Sequence, residues 1–140
     1  MATPSSTDDR LPAIGDVIGF SFLWSHEQEA GLVEGVKDRR CVVVRVLPDN
    51  RVVAAPITSS EPEHDHKVSL SPGAFGLTRR SWIVVSELNV FEWPGYDLRP
   101  AREPMGAFWR YGRISDRIRA LLADALTDAI TAKTAHLTKR

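Results

Sequence analysis

The chain has 140 residues, of which 43% are hydrophobic and 26% charged, and 18 basic residues balance 18 acidic ones. This composition is typical of a globular protein, and it excludes a protein-wide positive field that would draw the chain to nucleic acid or to a membrane. Because Cys41 is the single cysteine, an internal disulfide is excluded as well.

The length predicts one domain. Residues 1–12 are polar and contain prolines, and they lack the basic and apolar regions of a signal peptide. We therefore expect a disordered lead-in over residues 1–12 and a single domain over residues 13–140. No apolar run approaches the roughly 20 residues that span a bilayer. With a lone cysteine among apolar neighbours, these features predict a cytoplasmic protein without a membrane partner.

The first half of the chain predicts three strands. After a Gly15–Asp16 turn, Val17–Trp24 is rich in β-branched and aromatic residues and predicts the first strand. Ser25–Arg39 is polar without a clean period, which predicts a loop. Arg40–Leu47 and Arg51–Thr58 are apolar runs separated by a proline-containing turn, so they predict a β-hairpin.

The second half predicts shorter strands and one helix. A fourth strand is expected within residues 68–77, and Ser81–Trp93 predicts a strand that continues or bends near Asn89. From Ile114 to about residue 135, apolar residues recur in steps of three and four, which predicts an amphipathic helix with Ser115 as its N-cap. The fold class predicted is mainly β with a C-terminal helix (α+β), built on a small, strongly bent antiparallel sheet or barrel.

Common catalytic motifs are absent from the sequence, which has no glycine-rich phosphate loop, no CxxC pair and no GxSxG. His64 and His66 fall short of the three or four ligands of a usual metal site, so neither a metal nor a cofactor is expected. The four tryptophans fit core packing better than base stacking. The arginine pairs Arg39–Arg40 and Arg79–Arg80 adjoin predicted strands. A guanidinium held at such a place could bind phosphate through two hydrogen bonds. Arginines that are merely solvated at the end of a strand would give the same sequence pattern.

The order of these pieces resembles the MazF/PemK family of toxins from toxin–antitoxin operons, over about residues 13–135. Gly15-Asp16-Val17-Ile18 matches the opening of the family pattern. Arg39, just before a valine-rich strand, matches its Arg-Pro-x-Val-Val position, with Arg40 in place of the usual proline. Pro56-Ile57-Thr58-Ser59 matches its Pro-x-Thr-Ser/Thr piece, and Glu87 within VVSELN falls at the acid of a later strand.

The resemblance implies a small SH3-like antiparallel β-barrel of the MazF/PemK/CcdB type. It also implies a growth-inhibiting hydrolase that cleaves single-stranded RNA such as mRNA at specific sequences without a metal. Arg39 would stabilise the charge of the reacting phosphate. Glu34, which has the family spacing to Arg39, or else His26 or Glu27 of the matching His-Glu-Gln text, would be the base, and Glu87 is a further acidic candidate. Residues expected to bind the RNA are Thr58, Ser59, Arg40, Arg79 and Arg80.

The partners implied are single-stranded RNA, an antitoxin and a second copy of the chain, and no DNA is expected. The antitoxin would lay a disordered acidic or amphipathic segment over the RNA groove. The homodimer would bury apolar surface around Cys41–Val44 or on the C-terminal helix.

Three rival interpretations stay open. A non-catalytic SH3-like barrel could bind RNA or a protein partner; Val85, at a position where some family members have another arginine, and the displaced His26-Glu27-Gln28 both favour it. A toxin of the same architecture could instead act on a protein such as DNA gyrase, although such relatives lack the arginine loop. The third is a housekeeping β-barrel domain.

Overall fold

The computed structural model describes residues 10–32, 37–64 and 66–140. Most of the predicted lead-in, residues 1–9, lies outside the described residues. So does Glu34, one of the candidate bases, which belongs to residues 33–36.

The described residues form nine strands, two α-helices and a short 3₁₀ turn at Ala74–Gly76. The strands are β1 Asp16–Phe20, β2 Arg39–Val46, β3 Arg51–Thr58, β4 Lys67–Leu70, β5 Ser81–Val84, β6 Glu87–Glu92, β7 Leu98–Arg99, β8 Arg110–Arg113 and β9 His136–Lys139. The helices are α1 Ser25–Glu29 and α2 Asp116–Thr131.

The strands join into one sheet with the order β4-β5-β3-β2-β1-β7. Strand β3 is shared: its first half pairs with β6 and its last two residues pair with β5. Strand β8 adds to β1, and β9 adds to β6 as the one parallel pair among the described strands. A mainly β fold with a C-terminal helix is thereby confirmed. The bent sheet stays open instead of closing into a barrel, since the described pairings end at edge strands.

The β2–β3 hairpin is confirmed, and β3 has the predicted bounds. Asn50 in the connecting turn has a φ of 64°, a left-handed conformation that asparagine tolerates better than most residues. The helix is confirmed too: it begins at Asp116, and the Ser115 Oγ accepts a hydrogen bond from the Ile118 N–H at 3.2 Å. It ends at Thr131, and the following residues turn back to form β9.

Three expectations about the strands were wrong. The first strand ends at Phe20 instead of Trp24, because the chain turns into α1, in a segment predicted as loop. The long strand over Ser81–Trp93 breaks at residues 85–86, not near Asn89. The short strands β7, β8 and β9 lie in segments for which no strand was predicted.

The core lies on both faces of the sheet. On one face, Val42 and Val44 of β2 pack with residues of β3, β5, β6 and α2. On the other face, Cys41 and Val43 pack with aromatic residues that include Phe20, Phe91, Trp93 and Trp109. Because Cys41–Val44 is at most 7% exposed within a single protomer, it offers no free apolar surface for the predicted dimer contact. Within the described residues, no helix has the length and apolar character needed to cross a membrane.

Candidate functional site

The first two residues of β2 point to opposite faces of the sheet. Arg39 pairs with Phe20 and Arg40 with Gly19 in the register with β1, and successive strand residues alternate in direction. The Arg39 guanidinium lies 5.1 Å from the centre of the Trp24 ring, and the Arg40 guanidinium lies 4.7 Å from the centre of the Tyr111 ring. Each arginine is therefore held against an aromatic face by a cation–π contact.

The Arg39 side chain is half-buried beside helix α1 and Trp24, the residue that precedes that helix. Burial lowers the pKa of the Arg39 guanidinium, and the negative charge of Glu27 opposes that shift. The guanidinium nevertheless stays protonated at any physiological pH. The His26 ring lies 6.3 Å from the Trp24 ring at an interplanar angle of 29°.

Two carboxylates fix the start of α1. Glu27, which is 7% exposed, accepts a hydrogen bond from the Trp24 N–H at 3.0 Å. The Glu87 Oε1 accepts two bonds of 2.9 Å from Ser25, one from its N–H and one from its hydroxyl. The Glu87 Oε2 is buried and has no hydrogen-bond partner among the described residues. The contacts of Glu87 are thus those of a residue that holds α1 in place beside Arg39.

Arg40 is tied to the turn that precedes β5. Its Nε donates to the Phe75 carbonyl at 2.5 Å, and one terminal nitrogen lies 3.5 Å from the Gly76 carbonyl. Phe75 has a φ of 55°, which is uncommon for a residue other than glycine. These bonds take up one edge of the guanidinium, while its face lies on Tyr111.

A cleft of about 350 Å³ opens between the start of β2 and the turn before β5. It is lined by four cationic residues and one acidic residue, namely Lys37, Arg39, Arg40, Arg79 and Asp38. Asp38 forms an ion pair of 3.2 Å with Arg99, so part of its charge is already balanced. We call this feature the basic cleft, and its positive charge suits a phosphate group.

The structure brings four of the predicted site residues into the basic cleft, namely Arg39, Arg40, Ser59 and Arg79. Thr58 precedes Ser59 at the end of β3, and its hydroxyl accepts a bond from the Ser60 N–H at 3.1 Å. That bond shapes the turn that presents Ser59. Arg80 lies outside the basic cleft: it donates to the Ser69 hydroxyl at 2.7 Å and lines a groove beside α2.

A second cavity of about 370 Å³ shares Asp38, Arg39 and Arg40 with the basic cleft. It adds Arg99 and Arg102, two cations that the sequence interpretation missed, and the Tyr111 ring. Trp24 was missed as well, since it was assigned to core packing while its ring contacts Arg39 and His26. The cluster RPAR at residues 99–102 was the one signal available for the added cations.

His64 and His66 do not contribute to this site. The His64 Nε2 lies 3.2 Å from the Ser86 hydroxyl, and its Nδ1 accepts a bond from the His66 N–H at 3.2 Å. Across the described part of the chain, no three His, Cys, Asp or Glu side chains are grouped so that they could hold a metal ion.

Comparison with known proteins supports the fold assignment. No family model matches the sequence, and no curated protein matches it. Among solved structures, a chain in the crystal structure of MazE–MazF (form II) from Deinococcus radiodurans aligns with a TM-score of 0.57. The alignment covers 87% of this chain and 97% of that chain, at 15% sequence identity. The protein has a MazF-like fold.

Proposed function

We propose that this protein is the toxin of a type II toxin–antitoxin pair and acts as a metal-independent, sequence-specific endoribonuclease on single-stranded RNA. One observation carries the proposal: Arg39, the residue expected to stabilise the reacting phosphate, stands at the edge of a cleft lined by four cations. The MazF-like fold is a second support, since the aligned chain belongs to a MazE–MazF complex.

The basic cleft suits the backbone of RNA more than it suits a neutral ligand. Lys37, Arg40 and Arg79 line this cleft together with Arg39, and the net charge of the chain is zero. The cations are therefore a local feature of this surface. Binding that rests on phosphate contacts of this kind weakens steeply as salt is added, because bound cations are released from the RNA.

RNA supplies its own nucleophile, the 2′-hydroxyl. A base takes the proton of that hydroxyl, the O2′ attacks the adjacent phosphorus, and the bond to the 5′-oxygen breaks as that oxygen takes up a proton. The products would be a 2′,3′-cyclic phosphate and a 5′-hydroxyl. Arg39 would stabilise the extra negative charge on the phosphate, and its contact with Trp24 fixes it for that purpose before the substrate arrives.

Among the described residues, His26 is our choice as the base. The carboxylates of Glu27 and Glu87 are engaged with the N–H groups that begin α1, whereas His26 is exposed and packs on the same Trp24 ring as Arg39. Imidazole is also the most frequent general base in enzymes. Glu34, outside the described residues, is the alternative; we expect either His26→Gln or Glu34→Gln, not both, to lower the cleavage rate at least about a hundredfold.

The proposal includes a homodimer, an antitoxin partner and a place in the cytoplasm. Since Cys41–Val44 is buried, we place the dimer contact on other apolar residues, Ile130 of α2 and Leu137 of β9, which are 59% and 56% exposed. Light scattering at micromolar concentration should give twice the chain mass of 15.6 kDa. A species of that chain mass alone would argue against the dimer.

The function is tested with purified protein and a long single-stranded RNA in EDTA. Cuts at defined sequences that leave cyclic phosphate ends are expected. Arg79→Ala should weaken RNA binding more than Arg80→Ala, because Arg79 lines the basic cleft and Arg80 does not. RNA that is bound but left intact by the folded protein would contradict catalysis and support the alternative, a non-catalytic barrel that binds RNA.

A further inference from the structure

A β-bulge brings two arginines of β8 to the same face of the sheet. Arg110 and Arg113 are three residues apart, and in a regular strand this spacing would place them on opposite faces. Arg113 lies opposite Asp16 of β1. The register then shifts, so that Arg110 lies opposite Ile18, only two residues farther along β1. Because Asp16 and Ile18 share a face of the sheet, both arginines lie on that face too. Bulges re-aim side chains in this way and are frequent beside functional sites.

Asp16 holds both guanidinium groups by a single oxygen. The residue is 3% exposed, and its Oδ1 accepts a hydrogen bond from the Arg110 Nε at 3.1 Å and another from the Arg113 Nε at 2.9 Å. The Oδ2 accepts a bond from the Ala13 N–H at 2.9 Å. Among the described residues, neither guanidinium has a hydrogen-bond partner for its terminal nitrogens. A guanidinium has five N–H groups, so one bond through Nε leaves four for another acceptor.

A cavity of about 250 Å³ lies beside this pair of arginines. Arg110, Arg113 and Asp16 line it together with Gly106 and Trp109. The Arg110 Nη1 lies near the wall at Gly106, where an added Cβ would be 3.7 Å from that nitrogen. The two guanidinium groups and the one carboxylate carry two positive charges and one negative charge, a net charge of +1. No second acidic side chain occurs among the described residues that line the cavity, which therefore suits a small anion.

We propose that this cavity binds a single phosphate group through the terminal nitrogens of Arg110 and Arg113. Guanidinium groups bind phosphate oxygens through two parallel hydrogen bonds, and Asp16 positions both of them from the opposite edge. The volume is below the roughly 300–1,000 Å³ of pockets for drug-sized ligands, so it fits an ion better than an extended ligand. Inorganic phosphate and the terminal phosphate of a nucleotide present the same chemistry. The cavity shares no lining residue with the basic cleft, and this site goes beyond the proposed function.

The test is isothermal titration calorimetry of the full chain with sodium phosphate at constant ionic strength. Because the basic cleft also presents cations to phosphate, the titration is run on wild type and on the double variant Arg39→Ala/Arg79→Ala, which weakens that cleft. Saturable phosphate binding should persist in the double variant. Adding Arg113→Gln to the double variant should weaken phosphate binding at least about tenfold, because hydrogen bonds between two charged groups are the strong ones. Adding Arg110→Gln should have the same effect.

Arg45→Gln is the matched control, since Arg45 is an exposed arginine that lines neither this cavity nor the basic cleft. Added to the same double variant, it should change the phosphate affinity by less than about twofold, because an exposed charge outside the site acts only through a field that salt screens. Arg113→Gln and Arg110→Gln each leave Asp16 one arginine partner, and melting curves verify that both variants are folded.

Equal phosphate affinities with Arg113→Gln and with Arg45→Gln would overturn the assignment. Loss of all phosphate binding in the double variant would overturn it as well, since the basic cleft would then hold the ion. Adenosine monophosphate is titrated in parallel to identify the source of the phosphate group. Tighter binding than inorganic phosphate, still dependent on Arg113, would assign the site to a nucleotide, and equal or weaker binding would assign it to the free ion. Failure of the proposed function looks different, since RNA would then stay uncut while phosphate still binds and depends on Arg113.

Discussion

Replacing Glu87 by alanine should destabilise the protein by about 2–3 kcal/mol, because Glu87 ties the start of α1 to the sheet. The variant removes two hydrogen bonds of 2.9 Å from Ser25 to the Glu87 carboxylate. Bonds to a charged group contribute about 1.5–3 kcal/mol each. The variant also removes the buried Oε2, which has no partner among the described residues, and relief of its desolvation returns about 1–3 kcal/mol.

The assay is urea unfolding followed by tryptophan fluorescence, since Trp24 immediately precedes Ser25 and responds to the position of α1. Ser25→Ala, which removes only the hydroxyl bond to that carboxylate, should cost about 1.5–3 kcal/mol. Glu92→Ala, at an exposed site on the same strand, should change the unfolding free energy by less than about 0.5 kcal/mol. A loss in Glu87→Ala no larger than that of Glu92→Ala would refute the role assigned to Glu87.

Three further predictions concern stability. Burial raises the pKa of the Cys41 thiol, so the unfolded chain releases this proton at a lower pH than the folded chain does. The unfolding free energy should therefore fall above about pH 8.5, by up to about 1.4 kcal/mol per pH unit. In urea titrations from pH 8 to 10, the unfolding free energy of Cys41→Ala should fall less steeply with pH than that of wild type, and an equal slope would contradict the prediction. Asn89→Ala should cost at least about 3 kcal/mol in the same assay at neutral pH, because the buried amide bonds both the N–H and the C=O of Leu23; a cost under about 1 kcal/mol would count against that role. Ser115→Ala removes the N-cap bond to the Ile118 N–H, and thermal unfolding should show a loss of about 1 kcal/mol, whereas an unchanged midpoint would mean that the cap contributes nothing.

Local patterns in the sequence predicted the elements whose signals are local. The β2–β3 hairpin followed from two apolar runs around a proline-containing turn, and α2 followed from its apolar period and the Ser115 cap. Helix α1 could not be predicted in this way. It has five residues, and one of the carboxylates that fix its start, Glu87, lies 62 positions farther along the chain.

The late strands escaped prediction for a similar reason. Strand β7 has two residues and β9 has four, and each is defined by a partner strand distant in the sequence, β1 for the former and β6 for the latter. Strands this short carry too few residues for a period of two to stand out.

The sequence could place Arg39 of the candidate site, but it could not place the residues around Arg39. A resemblance in the order of motifs placed Arg39 at the start of a valine-rich strand, where the structure has it beside the basic cleft. The sequence did not distinguish Arg79 from Arg80, because their directions depend on how the turn before β5 folds over Arg40. It also could not show that the Trp24 ring would lie against Arg39, since that contact depends on α1.

The central claim is tested most directly by the rate at which a defined single-stranded RNA is cut in EDTA by wild type, Arg39→Ala and Arg45→Ala. Arg45 is an exposed arginine on the same strand and lines neither the basic cleft nor the adjoining cavity. Loss of one group that stabilises transition-state charge typically lowers the rate about 10²–10³-fold. We predict a loss of that size in Arg39→Ala and none in Arg45→Ala. Cleavage by Arg39→Ala within about threefold of wild type, well short of such a loss, would contradict the account.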